Sequence, residues 1–107
     1  MAKCIKVLIL PAEGRAAVKH VANELSELQK LVGGYLEVGH REGRDVWICN
    51  EEGRLLGLPV NKYEPDYVGD IFVCGTRGDR FADISKTLEK SWEERYGQKI
   101  LEVLWHG

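Results

Sequence analysis

The sequence lacks a long apolar run. The longest candidate near the N-terminus covers residues 5–10 and includes Lys6, whereas a membrane-spanning helix needs about 20 apolar residues. The same run is too short for the apolar core of a secretory signal, and it carries no small-residue cleavage site. We therefore expect a cytoplasmic protein that does not insert into a membrane.

Cysteine is scarce. Cys4, Cys49 and Cys74 are odd in number, widely spaced and without a C-x-x-C pair, which argues against a disulfide framework. Each lies in an apolar, strand-like run, so the sequence predicts three buried thiols that pack as small hydrophobic side chains. The alternatives are a catalytic thiol with one of the three histidines as its base, and a metal site built from the same residues. No two candidate ligands have the short spacing of a local metal motif, so we predict no metal and no cofactor.

An excess of charge of either sign is also missing. The 107 residues carry 15 Lys and Arg against 17 Asp and Glu, which gives a net charge of −2. A general nucleic-acid-binding protein would need a basic face, so none is expected here, although a local basic patch is compatible with this balance. Apolar residues make up 44% of the chain and charged residues 30%, as in an ordinary globular protein of one domain.

Recognisable catalytic motifs are absent as well. Neither the phosphate loop G-x-x-x-x-G-K-[ST] nor the dinucleotide fingerprint G-x-G-x-x-G occurs. The carboxylate pairs at residues 51–52 and 93–94 are adjacent in the chain, so they would not converge on one substrate. The sequence therefore favours a protein that is not an enzyme.

The chain does contain clear strand and helix patterns. Residues 3–10 are apolar and β-branched, which is typical of a buried strand. Residues 16–21 predict a second strand, with the start of the next helix as the alternative. Asn23 is placed to cap a helix through the sequence ELSELQKLV, and Gly33 and Gly34 would end it. The apolar stripe of this helix consists of Val21, Leu25, Leu28 and Val32.

The middle of the chain predicts a β-hairpin followed by turn-rich sequence. Residues 35–40 and 45–50 are the two hairpin strands. The stretch NEEGRLLGLPVN then predicts a tight turn with Gly53 at positive φ and a short return strand at residues 54–56. Asn61 would cap a helical turn together with Glu64.

The last third predicts a strand over residues 70–74, a loop over 75–80 and a helix over 81–96. The buried face of that helix consists of Phe81, Ile84, Leu88 and Trp92, and Gly97 would end it. Residues 99–105 predict a last strand, with a helical tail as the alternative. The chain is thus expected to be an α+β domain, with a mostly antiparallel sheet of four to six strands and two helices packed on one face.

Three segments together resemble a known family. They are LQKLVGGYLEV at residues 28–38, ICNEEGRLLGLPVN at residues 48–61 and GDIFVCG at residues 69–75. The chain resembles a family of short proteins of unknown function that is widespread in bacteria, phages and other mobile elements. The resemblance implies a small cytoplasmic protein, often phage-associated, with no established activity and no catalytic residues to transfer.

The loop GTRGDR at residues 75–80 is a candidate anion site. If it joins a strand to a helix, its backbone N–H groups can contact a phosphate, and Arg77 or Arg80 can clamp it. The alternative is a solvated turn with a helix cap at Asp79.

A second group of candidate ligand-binding residues surrounds the predicted hairpin. Aromatic rings next to basic side chains suit a flat anionic ligand such as a nucleotide, through stacking and charge-assisted hydrogen bonds. The alternative is the core and rim of an antiparallel sheet. The group consists of Tyr35, Trp47, Arg54, Asn61, Lys62 and Tyr63.

The apolar run LLGLPV at residues 55–60 predicts an exposed sheet edge through which a homodimer or a larger homo-oligomer would form. The competing interpretation is that this segment folds back over the core. From the resemblance and the missing catalytic motifs, we expect a non-enzymatic binding protein, encoded by a phage or mobile element, that sequesters a nucleotide-derived signalling molecule. The alternative is a protein–protein interaction module that regulates a host or phage enzyme.

Overall fold

The structure, a computed structural model, describes residues 3–102. This part of the chain forms seven strands and two helices in one α+β domain. In chain order they are β1 (Cys4–Leu10), β2 (Ala17–Ala22), α1 (Leu25–Val32), β3 (Leu36–Glu42), β4 (Asp45–Asn50), β5 (Ile71–Arg77), β6 (Arg80–Ala82), α2 (Lys86–Tyr96) and β7 (Leu101–Glu102).

The strands form one sheet in the order β3-β4-β5-β1-β2-β7, and β6 pairs with β5. Every pairing in the described residues is antiparallel except that of β2 with β7. The predicted α+β class and mostly antiparallel sheet are confirmed, with seven strands where four to six were expected. Residues 16–21 are indeed a strand, and the β3–β4 hairpin turns at Gly43, whose φ is +57°.

The two helices lie on opposite faces of the sheet. Leu28 of α1 packs in one apolar cluster with Val7 and Phe72, whereas Leu88 of α2 packs in another with Leu8. Since neighbouring residues of a strand point to opposite faces, these clusters lie on the two sides of the sheet. The prediction of two helices on one face is wrong because β1 and β5 are apolar on both faces, and both faces must therefore be covered.

Helix α1 begins without the predicted cap. Its N-cap is Glu24, which makes no side-chain cap hydrogen bond. Asn23 instead donates its Nδ2 to the carbonyl oxygen of Phe81, at 3.1 Å. Leu25 is exposed, so the predicted stripe is reduced within α1 to Leu28 and Val32. The helix ends at Gly33 with φ of +77°, as predicted.

The predicted loop and helix start over residues 75–85 are also wrong. Strand β5 continues to Arg77, turns at Gly78 with φ of +62°, and returns as β6. Helix α2 begins only at Lys86, and its cap is Ser85, whose Oγ accepts from the N–H of Leu88. Asp79 therefore lies in a hairpin turn and not at a helix start. A glycine with positive φ at the first turn position permits such a two-residue connection.

Residues 51–70 connect β4 to β5 without a strand of their own beyond one isolated bridge. The predicted return strand at 54–56 is a turn, and the positive φ falls on Gly57 at +67°, not on Gly53. The apolar run at 55–60 is not a strand of the sheet, and its side chains at 55, 56 and 60 are exposed while Leu58 is half-buried. The side chain of Asn61 anchors the segment instead.

Only one of the three thiols is buried. Cys74 lies in the core, Cys49 is half-buried and Cys4 is exposed, so the prediction of three buried cysteines is wrong for Cys4. The predicted last strand is present at Leu101–Glu102, whereas residues 99–100 precede it without strand pairing. Residues 103–105 of the prediction, like His106, lie outside the described residues. In the described part of the chain, neither helix is long and apolar enough to cross a membrane.

Candidate functional site

A groove of about 420 Å³ lies beside the β5–β6 hairpin. Its lining is strongly basic, with five cationic side chains and a single carboxylate, that of Asp83. Ile5, Phe81 and Ile84 supply apolar surface between the charges. The five basic residues are Lys3, Arg44, Arg77, Arg80 and Lys86.

Two hairpin turns bring the arginines to this end of the sheet. Arg44 follows Gly43 in the β3–β4 turn, and Arg77 and Arg80 flank the β5–β6 turn. Thr76 joins the two hairpins, because its Oγ1 donates to the carbonyl oxygen of Arg44 at 2.9 Å. The same Oγ1 accepts from the guanidinium of Arg41 at 3.0 Å. Turn chemistry and one threonine therefore fix the basic wall of the groove.

Arg77 and Arg80 are direct cross-strand partners in the β5–β6 ladder, and both are exposed. Like charges directly opposite one another in an antiparallel pair are destabilising. Among residues 3–102, none of the five basic side chains of the groove forms an ion pair with a carboxylate. The groove thus holds positive charge that this part of the chain does not neutralise.

The single carboxylate of the groove has a structural partner. Oδ1 of Asp83 accepts from the backbone N–H of Lys6 at 2.8 Å, and the N–H of Ile84 donates to the carbonyl oxygen of Lys6 at 3.0 Å. These two contacts attach the segment between β6 and α2 to β1. Asp83 therefore has a structural role, and its carboxylate sets one negative charge against the five positive charges of the lining.

Arg77 and Arg80 are the two predicted ligand-binding residues that the structure brings together. Trp47 and Asn61 are fully buried, so neither offers a surface to a ligand. Asn61 Nδ2 donates to the carbonyl oxygens of Leu10 and Gly69 at 2.8 and 2.9 Å. Its Oδ1 accepts from two backbone N–H groups, those of residues 63 and 64, at 2.9 and 3.1 Å.

Tyr63 has a similar structural role. Its hydroxyl donates to the carbonyl oxygen of Gly14 at 2.7 Å and accepts from the N–H of Ala16 at 2.9 Å. The ammonium group of Lys62 lies 5.1 Å from the centre of the Tyr63 ring, over its face. Tyr35 is exposed, and it lines neither the basic groove nor the separate groove that contains Arg54. The predicted aromatic and basic group therefore does not form one binding surface.

Arg54 lines a different groove, of about 250 Å³. Three carboxylates surround it there, and its Nη2 donates to the carbonyl oxygen of Asp66 at 3.0 Å. An anion would be repelled by that lining. The carboxylates belong to Glu37, Glu51 and Asp66.

The buried Trp47 is the centre of a polar and aromatic network on the α2 face. The ring of His40 stacks on it at 4.3 Å between centroids, and the guanidinium of Arg95 lies 4.9 Å from its centroid. Trp47 Nε1 donates to Oε2 of Glu64 at 3.1 Å, and the hydroxyl of Tyr96 donates to the same oxygen at 2.7 Å. Burial, followed by the Glu64 carboxylate, raises the pKa of Tyr96 well above its ordinary value.

Arg95 connects this network to the sheet edge. It donates two hydrogen bonds to Glu42, at 2.7 and 2.8 Å, and these bonds lower the pKa of that carboxyl. All the polar groups of the network face one another, and the network joins α2, the β3–β4 hairpin and the 51–70 segment. We interpret it as a structural network that holds these three parts of the chain together.

Sequence reasoning missed Lys3, Arg44 and Lys86. Only Arg44 carried a usable signal, namely its place beside a turn glycine in a predicted hairpin. Lys3 precedes β1 and Lys86 begins α2, and the packing of these two elements beside the β5–β6 hairpin is not revealed by any local pattern. Among residues 3–102, no three His, Cys, Asp or Glu side chains converge as metal ligands.

The fold and the groove define a class: a small α+β domain with an unneutralised basic groove at one end of its sheet. The family model described as "Domain of unknown function (DUF3846)" matches residues 5–97. The chain belongs to this family, which confirms the resemblance to a small uncharacterised domain family. No curated protein and no solved structure matches the chain.

Proposed function

We propose that this protein is a non-enzymatic binding protein that sequesters a nucleotide-type anion in the groove beside the β5–β6 hairpin. The observation that carries the proposal is the set of five basic side chains without carboxylate partners around one groove. Guanidinium groups form charge-assisted, often bidentate hydrogen bonds with phosphate oxygens. A groove of about 420 Å³ also falls in the size range of small-molecule sites.

The biological setting is part of the same proposal. The sequence resemblance to proteins of bacteria, phages and mobile elements supports a protein that acts in the host cytoplasm and removes a nucleotide-derived signal of host defence. A binding protein of this kind needs no catalytic group, and it acts by holding its ligand at high occupancy. A homo-oligomer would multiply the number of grooves in each particle.

The test is a thermal-shift and calorimetry panel of mono-, di- and cyclic nucleotides and ADP-ribose derivatives. A ligand at 100 times its dissociation constant adds about 2.7 kcal/mol, which raises the melting midpoint of a domain of this size by roughly 10–20 °C. Arg77→Ala should reduce this shift to roughly half or less, and Arg54→Ala, which changes the acidic groove, should leave it intact. Chromatography should recover the ligand unchanged after incubation. A panel without any shift would contradict the proposal, and turnover would contradict its non-enzymatic part.

One observation favours the alternative of a protein–protein interaction module. Leu55, Leu56 and Val60 are 87%, 60% and 61% exposed, so the 51–70 segment presents apolar surface to solvent. Adjacent exposed apolar side chains mark interaction sites more often than isolated ones do. If this surface binds a partner or a second copy, the double variant Leu55→Ser/Leu56→Ser should abolish a complex seen by sedimentation or pulldown. It should leave nucleotide binding unchanged.

A further inference from the structure

We infer that Arg77 and Arg80 form a clamp for a pyrophosphate group, so that the ligand is a nucleoside di- or triphosphate or another pyrophosphate-containing nucleotide. This inference rests on the proposed function and narrows it. It excludes nucleoside monophosphates and cyclic mononucleotides as the preferred ligands.

The spacing of the two arginines is fixed by the backbone. They are paired residues on either side of a two-residue turn, and Gly78 at φ of +62° provides the left-handed conformation at its first position. Directly opposed side chains have Cβ atoms about 4.5–5.5 Å apart on one face of the ladder. The two Cβ atoms are thus held side by side, so both guanidinium groups can reach one multivalent anion, which would offset their mutual repulsion.

The rest of the groove lining carries further positive charge. Lys3 precedes β1, Arg44 lies in the neighbouring hairpin turn and Lys86 begins α2. These cations come from three different elements and, together with the arginine pair, line one groove. A single orthophosphate is too small to contact cations distributed around about 420 Å³. A chain of two or three phosphates provides charges at several places along the same groove.

The remaining lining offers little to distinguish one base from another. Ile5, Phe81 and Ile84 are apolar. The Nδ2 group of Asn23 is committed to the Phe81 carbonyl oxygen, and Oδ1 of Asp83 to a backbone N–H. The number of phosphates, and not the base, should therefore set the affinity.

The experiment is calorimetry on the full chain with orthophosphate, pyrophosphate, AMP, cyclic AMP, ADP, ATP and GTP. ADP should bind at least about ten-fold more tightly than AMP, since a charge-assisted contact is added. ATP and GTP should agree within a factor of about three, and pyrophosphate should compete with ADP.

The groove lining also contains a cysteine thiol whose rate of alkylation can report whether a ligand is bound. Cys4 is exposed within the groove, whereas Cys74 is buried in the core. ADP at a concentration near its dissociation constant should slow the alkylation of Cys4, measured by peptide mass spectrometry, and AMP at the same concentration should slow it much less. Unchanged labelling of Cys4 under saturating ADP would place the ligand elsewhere and overturn the inference.

Variants separate the possible outcomes. Arg77→Ala and Arg80→Ala should each weaken ADP binding about ten-fold, Arg77→Lys should weaken it less, and Arg54→Ala should leave it unchanged. Both arginines are exposed, so the variants should keep the melting midpoint of the free protein within a few degrees. If AMP or cyclic AMP binds as tightly as ADP, the clamp is refuted while the proposed function stands. If no phosphate compound binds, both are refuted.

Discussion

The hydroxyl group of Tyr67 lies where a Cβ atom at position 39 would be, and only glycine leaves room for it. This close contact between Tyr67 and the backbone at Gly39 has a structural role. Tyr67 forms a hydrogen bond of 2.6 Å with Nδ1 of His40, and the His40 ring stacks on the buried Trp47. A glycine inside a strand thus lets the 51–70 segment close over the sheet.

Gly39→Ala should therefore destabilise the protein by about 1–3 kcal/mol, because the added methyl group forces Tyr67 out of its place. Urea unfolding at neutral pH measures the loss. A double-mutant cycle with Tyr67→Ala provides the control, since the alanine at position 39 should cost much less once the ring is gone. Equal losses in the two backgrounds would show that the tyrosine contact is not the cause.

Asn61 should be the most sensitive residue of the 51–70 segment. It is fully buried and its side chain makes four hydrogen bonds to backbone groups. Asn61→Ala leaves buried donors and acceptors without partners and should cost about 2–4 kcal/mol in urea unfolding. Lys62→Ala, at the exposed neighbour, should change stability by less than about 0.5 kcal/mol. A small loss at Asn61 would mean that the segment is not anchored through it.

How far the sequence predicted this fold depends on the element. The strand at 4–10, the first part of β5 up to Cys74 and the end of α1 at Gly33 follow from local patterns, namely β-branched apolar runs and a glycine with positive φ. Residues 81–85 look helical because Phe81, Ile84 and Leu88 have helical spacing. In the structure Phe81 and Leu88 pack on opposite faces of the sheet. Spacing along the chain could not show that Phe81 belongs to strand β6 and Leu88 to helix α2.

The candidate site likewise contains residues that local sequence patterns can identify and residues whose position depends on long-range packing. Arg77 and Arg80 are candidates from the sequence because a glycine-containing loop with two arginines suits an anion, and in the structure both line one groove although the loop is a hairpin. Asn61 and Trp47 were predicted as ligand contacts from residue type alone. Their burial depends on how the 51–70 segment and α2 pack, and these contacts join residues far apart in sequence.

The ion pair of Glu42 and Arg95 should make stability depend on pH in the acid range. Hydrogen bonds from Arg95 lower the pKa of Glu42 in the folded state below its ordinary value of 4.5. A lowered folded pKa stabilises the fold above the ordinary value, and this contribution is lost as the pH falls through the folded pKa. The Glu42 side chain is 47% exposed, so solvent screening keeps the effect modest.

Glu42→Gln isolates this contribution, because the variant carries no charge at any pH. Its free energy of unfolding should be lower than that of the parent chain at about pH 7, and the difference should shrink below about pH 4. Carbon-detected NMR of the carboxyl group follows the titration itself. A difference that is constant across this range would exclude the ion pair as its source.

The most exposed and the most buried thiols, those of Cys4 and Cys74, should differ sharply in reactivity. Burial raises the pKa of Cys74 to about 12, whereas Cys4 is exposed. Since the thiolate is the reactive species, a disulfide reagent at about pH 8 should modify Cys4 quickly and Cys74 only after unfolding. Peptide mass spectrometry distinguishes the two sites, and the same reaction in urea is the control. Rapid modification of Cys74 in the native protein would contradict the packing of β5.

The cross-strand arginine pair should cost the free protein stability that binding recovers. Arg80→Glu replaces a repulsive pair by an attractive one, so it should raise the free energy of unfolding by roughly 0.2–1 kcal/mol. The melting midpoint of the free protein should rise by about 4–8 °C per kcal/mol, and the gain should shrink in high salt. The same variant should lose the shift that ADP causes in the parent chain. The glutamate at position 80 is negatively charged, as ADP is, and it therefore repels the ligand. Arg54→Glu, a charge reversal in the acidic groove, should change neither property in this way. A variant that is stabilised and still binds ADP would show that the opposed arginines are not held for a phosphate ligand.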